Sequence, residues 1–290
     1  MKQAKAIFLK ILIAVFLTAA VFALDVSTDK TPSEKLAVHF LDVGQGDSIF
    51  VELPNGETML VDTGDAYHGE SILRYIRNTG KQRIDYLVAT HPHADHIGSM
   101  AYIVRHFDVG SVCMPEVTTT TAPYERLLEA IGQKHLPVKK GRAGVSLLRT
   151  EDFSADILAP VTLDGDNLNN CSLVIKLTYG TRSVLLTGDA EHEETEALTA
   201  DIRADVLKVP HHGSADATDE ALLQRIQPSI AVISCGRDNE YGFPHEKTLR
   251  LLDEAGAAVY RTDKDYTVVV TTDGKDLTVS TSQISMKRTG

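Results

Sequence analysis

Cysteine is scarce. The 290 residues hold three, Cys113, Cys171 and Cys235. Odd in number and widely spaced, they exclude a disulfide framework and a four-cysteine zinc site. Basic charge is also short: 29 Lys and Arg stand against 40 Asp and Glu, a formal net charge of −11. That balance argues against a protein that simply coats DNA or anionic membrane. It does not exclude a nucleic-acid enzyme whose positive charge comes from bound metal. One basic cluster, Lys134, Lys139, Lys140 and Arg142, reads as a solvated loop rather than a DNA groove. There is no repeat at solenoid spacing and no low-complexity tract. What remains is a globular composition, 43% apolar and 24% charged, in a chain long enough for a core that needs no staples.

The N-terminus has a targeting pattern. Lys2, Lys5 and Lys10 precede an uncharged run from Ile11 to Leu24. That run has the length of a signal-peptide core and is short for a membrane span, which needs about 20 residues. Val21-Phe22-Ala23 offers small-residue cleavage chemistry, and the lack of a Cys there excludes a lipoprotein anchor. Residues 1–23 are expected to be a signal peptide, with an uncleaved N-terminal anchor as the alternative. Either places the rest of the chain outside the cytoplasm, secreted or touching the membrane through that N-terminus alone. Residues 24–35, with Pro32, read as a linker, and 36–290 as the folded domain.

The domain reads as strands interleaved with helices, the pattern of mixed sheets covered by helices. Strands are expected at Leu36–Asp42, Ser48–Leu53, Glu57–Asp62, Ile84–Thr90, Val145–Arg149, Asp156–Leu158, Ser172–Tyr179, Ser183–Thr187, Val206–Val209 and Ile230–Ser234. Further strands are expected near Val259, Thr267–Thr271 and Leu277–Ser280. Helices are expected at Ser71–Asn78, His96–Phe107, Arg126–Lys134, Glu193–Asp201, Glu220–Ile226 and Lys247–Ala255.

After the strand Ile84–Thr90 comes His91-Pro92-His93-Ala94-Asp95-His96. It places four metal-ligating side chains within six residues, three of them from a total of 11 histidines. Imidazole and carboxylate at this density suit zinc, manganese or iron. Two later strand ends repeat the design. Ser183–Thr187 runs into Gly188-Asp189, and Val206–Val209 into Pro210-His211-His212-Gly213-Ser214. Together the three could converge on one sheet edge as a dinuclear site, with Asp189 bridging.

These segments resemble the metallo-β-lactamase-fold hydrolases. More narrowly, Phe40 to Ser48 (FLDVGQGDS), Asn169 to Val174 (NNCSLV) and Asn239 to His245 (NEYGFPH) are similar to the metallohydrolase domain of the DNA-uptake competence protein ComEC. The resemblance covers about Leu36 to Ser282, without the membrane channel or nucleic-acid-binding region of that family, so the chain looks like a stand-alone exported form. It implies an α/β fold, a four-layer αββα sandwich, with two divalent metal ions (Zn or Mn) at one edge of the sheets. By the same resemblance, His91 and His93 would bind one metal, Asp95 and His96 the other, and Asp189 both. One of His211 and His212 would complete the second metal, His212 being favoured.

Most two-metal members supply a further histidine before the bridging Asp. Here Asn169-Asn170-Cys171-Ser172 stands instead. Asn170 is a candidate to fill the gap through its amide oxygen, a hard ligand better suited to manganese than to zinc. Cys171, opening an apolar strand, reads as a small core residue. Asp62 resembles the family carboxylate that fixes a ligand imidazole in its tautomer.

The implied activity is an exported, dinuclear-metal-dependent hydrolase, first of all a phosphodiesterase or nuclease using metal-activated hydroxide. Its substrate partner would be nucleic acid, DNA included, or another phosphodiester. Asp95 and Asp189 would be catalytic, with His245 protonating the leaving group or clamping the substrate phosphate. Ser214 and Thr218 would donate to phosphate, and Tyr241 would stack on a base or sugar. The alternatives are a hydrolase of another ester or amide bond, lactone or β-lactam, against which the missing histidine counts, and a non-catalytic binding protein on the same scaffold. His39, His68, His106, His135 and His192 read as structural or exposed. No lipid cofactor is expected, and the oligomeric state is left open.

Overall fold

The computed structural model describes residues 33–163 and 167–282. The expected leader, 1–23, and most of the expected linker, 24–35, lie outside the described residues. No described helix is long and apolar enough to cross a membrane.

The strands are β1 Leu36–Phe40, β2 Ile49–Glu52, β3 Thr58–Val61, β4 Arg83–Val88, β5 Asp108–Pro115, β6 Val138–Gly141, β7 Ser146–Arg149, β8 Phe153–Ala159, β9 Val174–Tyr179, β10 Arg182–Leu186, β11 Val206–Lys208, β12 Ile230–Ile233, β13 Ala258–Arg261, β14 Thr267–Thr272 and β15 Leu277–Ser282. The helices are α1 Gly69–Asn78, α2 Ala94–Ile97, α3 Met100–His106, α4 Ala122–Lys134, α5 His192–Ala197, α6 Glu220–Ile226, α7 Glu246–Glu254 and α8 Thr262–Asp265. Eight strands pair in the order β15-β14-β1-β2-β3-β4-β5-β6 and seven in the order β13-β12-β11-β10-β9-β8-β7.

The strand period of two decides which residues meet. Leu36, Val38 and Phe40 of β1 join Ile49 and Val51 of β2 in the core between the sheets, against Ile175, Leu177, Val184 and Leu186 of the second sheet. Phe50, Leu60 and Leu87 turn the other way, onto α1, α3 and α4. Leu185 and Leu207 turn onto α6 and α7. Three apolar layers therefore separate helices, sheet, sheet and helices, the αββα sandwich. Each fully buried Leu, Ile or Phe contributes about 1.5–3 kcal/mol to holding it.

Three departures from the expected elements stand out. The helix expected over His96–Phe107 is divided into α2 and α3. A Cβ on Gly98 would lie 2.6 Å from the backbone nitrogen of Ala66, and the Ser99 hydroxyl bonds away to the Asp65 carbonyl. The helix expected to run to Asp201 stops at Ala197. The basic cluster is not a loop: Lys134 closes α4 and Lys139 and Lys140 lie on β6, an edge strand. Lys140 pairs with Glu116 and Lys139 donates to the Ser146 carbonyl. Charged lysines on an open edge discourage pairing with another chain.

The first sheet runs parallel through β3, β4 and β5, and the second through β10, β11, β12 and β13. The carboxyl ends of β3, β4, β10, β11 and β12 carry the conspicuous polar residues, and they meet at one edge of the sandwich.

Candidate metal centre

β4 ends at Val88, and the next three residues lead straight into the His-rich turn. His91 and His96 are buried, and His93 is half-buried at the start of α2. The His91 Nε2 lies 3.0 Å from the His93 Nδ1. Asp62, just past β3, is wholly buried and backbone-strained at φ 57°. Its carboxylate accepts from the Thr90 amide (2.8 Å), the Thr90 hydroxyl (2.6 Å) and the His96 Nδ1 (2.8 Å). It thus pins the residue before His91 and fixes His96 with Nε2 aimed inward, the usual arrangement behind a ligand imidazole.

The second sheet delivers the opposing half. Asp189 follows β10, with its amide bonded to the Ser172 hydroxyl at 3.1 Å. Its Oδ2 lies 3.2 Å from Nε2 of both His96 and His212, 3.9 Å from the His211 Nε2 and 4.0 Å from the His91 Nε2. His211 (φ 48°) and His212 (φ 52°) are successive left-handed residues. They swing the chain so that both rings reach the one oxygen. His212 Nδ1 donates to the Ser234 carbonyl at 2.9 Å, leaving Nε2 as its inward atom.

Ligand atoms of Asp95, His96, Asp189 and His212 all lie within 4.8 Å of one another. The Nε2 atoms of His96 and His212 and the Oδ1 of Asp189 are buried without hydrogen-bond partners. Buried polar atoms are rarely left so, and these nitrogen and oxygen donors fit a divalent metal ion. The field agrees. Burial opposes the charge of Asp189, but the His212 and His96 rings outweigh it and hold its carboxyl well below the usual range. Burial likewise opposes charge on His212, yet Asp189 and Asp95 push it up to about 9. A place that favours imidazolium this strongly favours a metal cation for the same reason.

Sequence reasoning missed several members. Asp47, from the Gly44-Gln45-Gly46-Asp47 turn, is buried, and its amide donates to the Asp95 carbonyl at 3.2 Å. Lys208, wholly buried on β11, has Nζ 2.6 Å from Asp47 Oδ2, 2.9 Å from the Gly188 carbonyl and 3.7 Å from Asp189 Oδ1. Burial opposes its charge, but Asp47 and Asp189 outweigh that and raise its pKa. A lysine inside the apolar stretch Val206–Val209 was the available signal. Glu191 Oε1 lies 3.4 Å from the His211 Nδ1. No spacing rule pointed to it.

The other expected residues fall as follows. Asn170 stands beside the cluster, its amide oxygen accepting from the Glu191 amide at 2.9 Å. Cys171 is buried and its thiol donates to the Asn167 carbonyl. His245 Nδ1 accepts from the Ala215 amide at 3.0 Å, which leaves Nε2 as the nitrogen free to donate. Ser214 and Thr218 are buried, and the Ser214 hydroxyl accepts from the Asp216 amide.

Tyr241, 57% exposed, stacks on Phe243 at 5.4 Å, and Phe243 in turn touches the rings of His211, His212 and His245. Tyr241 and Asp95 line a groove of about 780 Å³, in which neither Ser214 nor Thr218 takes part. His68, expected to be merely structural or exposed, is buried at this groove, 2.7 Å from Asp65 Oδ1. His39 is held by the Tyr75 hydroxyl at 2.8 Å, and His106, His135 and His192 are exposed.

Residues 41–237 match the metallo-β-lactamase superfamily. The chain is 35% identical over 251 residues to ComE operon protein 3 of Bacillus subtilis, covering 80% of this chain and 32% of that protein. It is 32% identical over 233 residues to Recombination protein 2 of Haemophilus influenzae, covering 78% of this chain and 27% of that protein. It therefore spans about a third of the length of these relatives. CmlA, a diiron β-hydroxylase from Streptomyces venezuelae, shares the fold with a TM-score of 0.54, at 18% identity over 80% of this chain and 53% of that one.

Proposed function

The chain belongs to the metallo-β-lactamase superfamily, and on that footing we propose that it is an exported phosphodiesterase or nuclease dependent on two divalent ions, zinc or manganese. The observation that carries this is the convergence of His91, His96, His211 and His212 on Asp189 Oδ2, with Asp95 of the same cluster lining a groove whose aromatic wall is Tyr241. Similarity to competence and recombination proteins supports a nucleic-acid substrate. The Lys-rich start and the run Ile11–Leu24 support export.

His91 and His93 would hold the first ion and Asp95, His96 and His212 the second, with Asp189 contributing to each. Bound there, the ions would supply Lewis acidity, lowering the pKa of a water and neutralising charge on a phosphoryl oxygen. The chain's own groups do the rest. Asp62 and the Ser234 carbonyl keep the His96 and His212 rings with Nε2 inward. Asp95, whose side chain is 35% exposed, accepts a hydrogen bond from the attacking water and orients it. His245 donates from Nε2 to the leaving oxygen, its other nitrogen being occupied by the Ala215 amide. Tyr241 presents its face to a base or sugar.

A second reading, hydrolysis of another ester or amide bond such as a lactone or β-lactam, is favoured by the groove itself, whose lining opposes a polyanion. Asp42, Asp65, Asp95, Asp238, Glu240 and Asp263 line it against a single arginine, Arg237. One experiment decides. The full chain, with manganese or zinc, is offered plasmid, single-stranded DNA, bis-(p-nitrophenyl) phosphate and nitrocefin in parallel. Metal-dependent cleavage of the phosphodiesters supports the first reading, and turnover of nitrocefin alone overturns it.

A further inference from the structure

No histidine ahead of Asp189 completes the first metal position, and the Asn170 oxygen is committed to the Glu191 amide. Another imidazole approaches the same bridging carboxylate. His91 Nε2 is 3.0 Å from the His93 Nδ1 and 4.0 Å from Asp189 Oδ2, and His211 Nε2 approaches that oxygen to 3.9 Å. His212 is committed elsewhere, with Nε2 3.4 Å from Asp95 Oδ2 and its ring 5.3 Å from that of His96. The outer nitrogen of His211 faces a carboxylate, Glu191 Oε1 at 3.4 Å, and is buried without a hydrogen bond. Glu191 is itself held by the side-chain amides of Asn167 and Asn169, each at 2.8 Å. A carboxylate behind the outer nitrogen is how proteins present the other imidazole nitrogen to a metal. The left-handed backbone at His211 and His212 is unfavourable for L residues. Strain kept at a site in this way points to a use for it.

We propose that His211, oriented by Glu191, is the third imidazole of the first metal position, standing in for the histidine that most two-metal members place before the bridging aspartate. The two neighbouring histidines then serve different ions, one on each side of Asp189 Oδ2. The inference rests on the two-metal reading above. It makes the first position a three-imidazole site.

The test uses metal-free full-length protein titrated with manganese, with bound ions counted by calorimetry and by the electron paramagnetic resonance of free manganese. Thermal unfolding of each metal-free form is recorded alongside. His211→Asn is the first variant, because asparagine tolerates positive φ. Glu191→Gln is the second, since it keeps shape and removes charge. Wild type is expected to bind two ions. His211→Asn should bind one, with its metal-free unfolding midpoint unchanged. Glu191→Gln should bind two, one of them tenfold to a hundredfold more weakly. Two ions at wild-type affinity in both variants overturn the assignment of His211 alone. A wild type that binds no ion overturns the metal centre itself and this inference with it.

Discussion

Lys208 is the most informative residue to remove. Its ammonium is wholly buried and lies 2.6 Å from Asp47 Oδ2. At an effective dielectric of about 20, that separation is worth about 6 kcal/mol of attraction. Taking each ion out of water costs several kcal/mol, so the intact pair sits near break-even. Lys208→Met keeps the apolar stem and deletes the charge, leaving Asp47 buried beside Asp62 without its nearest cation, the His212 and His96 rings standing farther off at 3.6 and 3.9 Å. Breaking a buried pair in this way costs about 3–5 kcal/mol. For a domain of this size that is a fall in unfolding midpoint of about 6–20 °C. Circular dichroism melting of the metal-free protein reads it directly. Adding Asp47→Leu to Lys208→Met removes both charges and should recover most of the loss. A single mutant within 1 kcal/mol of wild type, or a double mutant worse than the sum of the singles, would refute the picture of a paired buried charge.

Asp189→Asn keeps volume and halves the anionic donors. It should fold, bind one ion fewer by mass analysis, and lose at least about a hundredfold in phosphodiester turnover, about 2.7 kcal/mol of transition-state stabilisation. Gly46→Ala places a Cβ 2.1 Å from the Asp95 carbonyl, at φ 118°. It should lower stability by more than about 2 kcal/mol in urea unfolding and weaken metal binding by displacing Asp95. Tyr241→Ala, at an exposed site, should leave stability within about 0.5 kcal/mol. It should raise KM for single-stranded oligonucleotide about tenfold, as loss of one base stack requires. Mass spectrometry of protein recovered outside the cytoplasm should show a mature start near Leu24, and an intact Met1 in a soluble cytoplasmic fraction contradicts export.

The ligand set was legible where sequence neighbours are also spatial neighbours. His91 to His96 lie on one turn, and Asp189 and His212 each cap a strand whose apolar run announces it. Mixed sheets under helices were legible because strand-like and helix-like stretches alternate along the chain, and the four-layer sandwich followed from the family resemblance. β5 and β6 were not, because Gly110 and Pro115 interrupt the first and Lys139-Lys140 disguises the second. Asp47, Lys208 and Glu191 escaped for a different reason. Each acts through a partner far away in sequence, and no local period encodes a pair such as Asp47 with Lys208. Asn170 shows a role its chain position did not announce: its amide oxygen braces the turn after Asp189 by accepting from the Glu191 amide.

The side chains of the cluster come from both sheets. Asp62, His91, His93, Asp95 and His96 follow strands of the eight-stranded sheet, and Asp189, Lys208, His211 and His212 belong to the seven-stranded one. Neither half owns a complete site. An ion held at Asp189 is therefore a clasp across the seam between the two layers, closing the open rim of a molecule that elsewhere is joined through its apolar middle. Among the described helices only α2, with Asp95 and His96, gives side chains to the clasp, so the other outer helices are freer to change. The mutual registration of the sheets is not, because a slip of one strand position would carry the two halves of the clasp past each other.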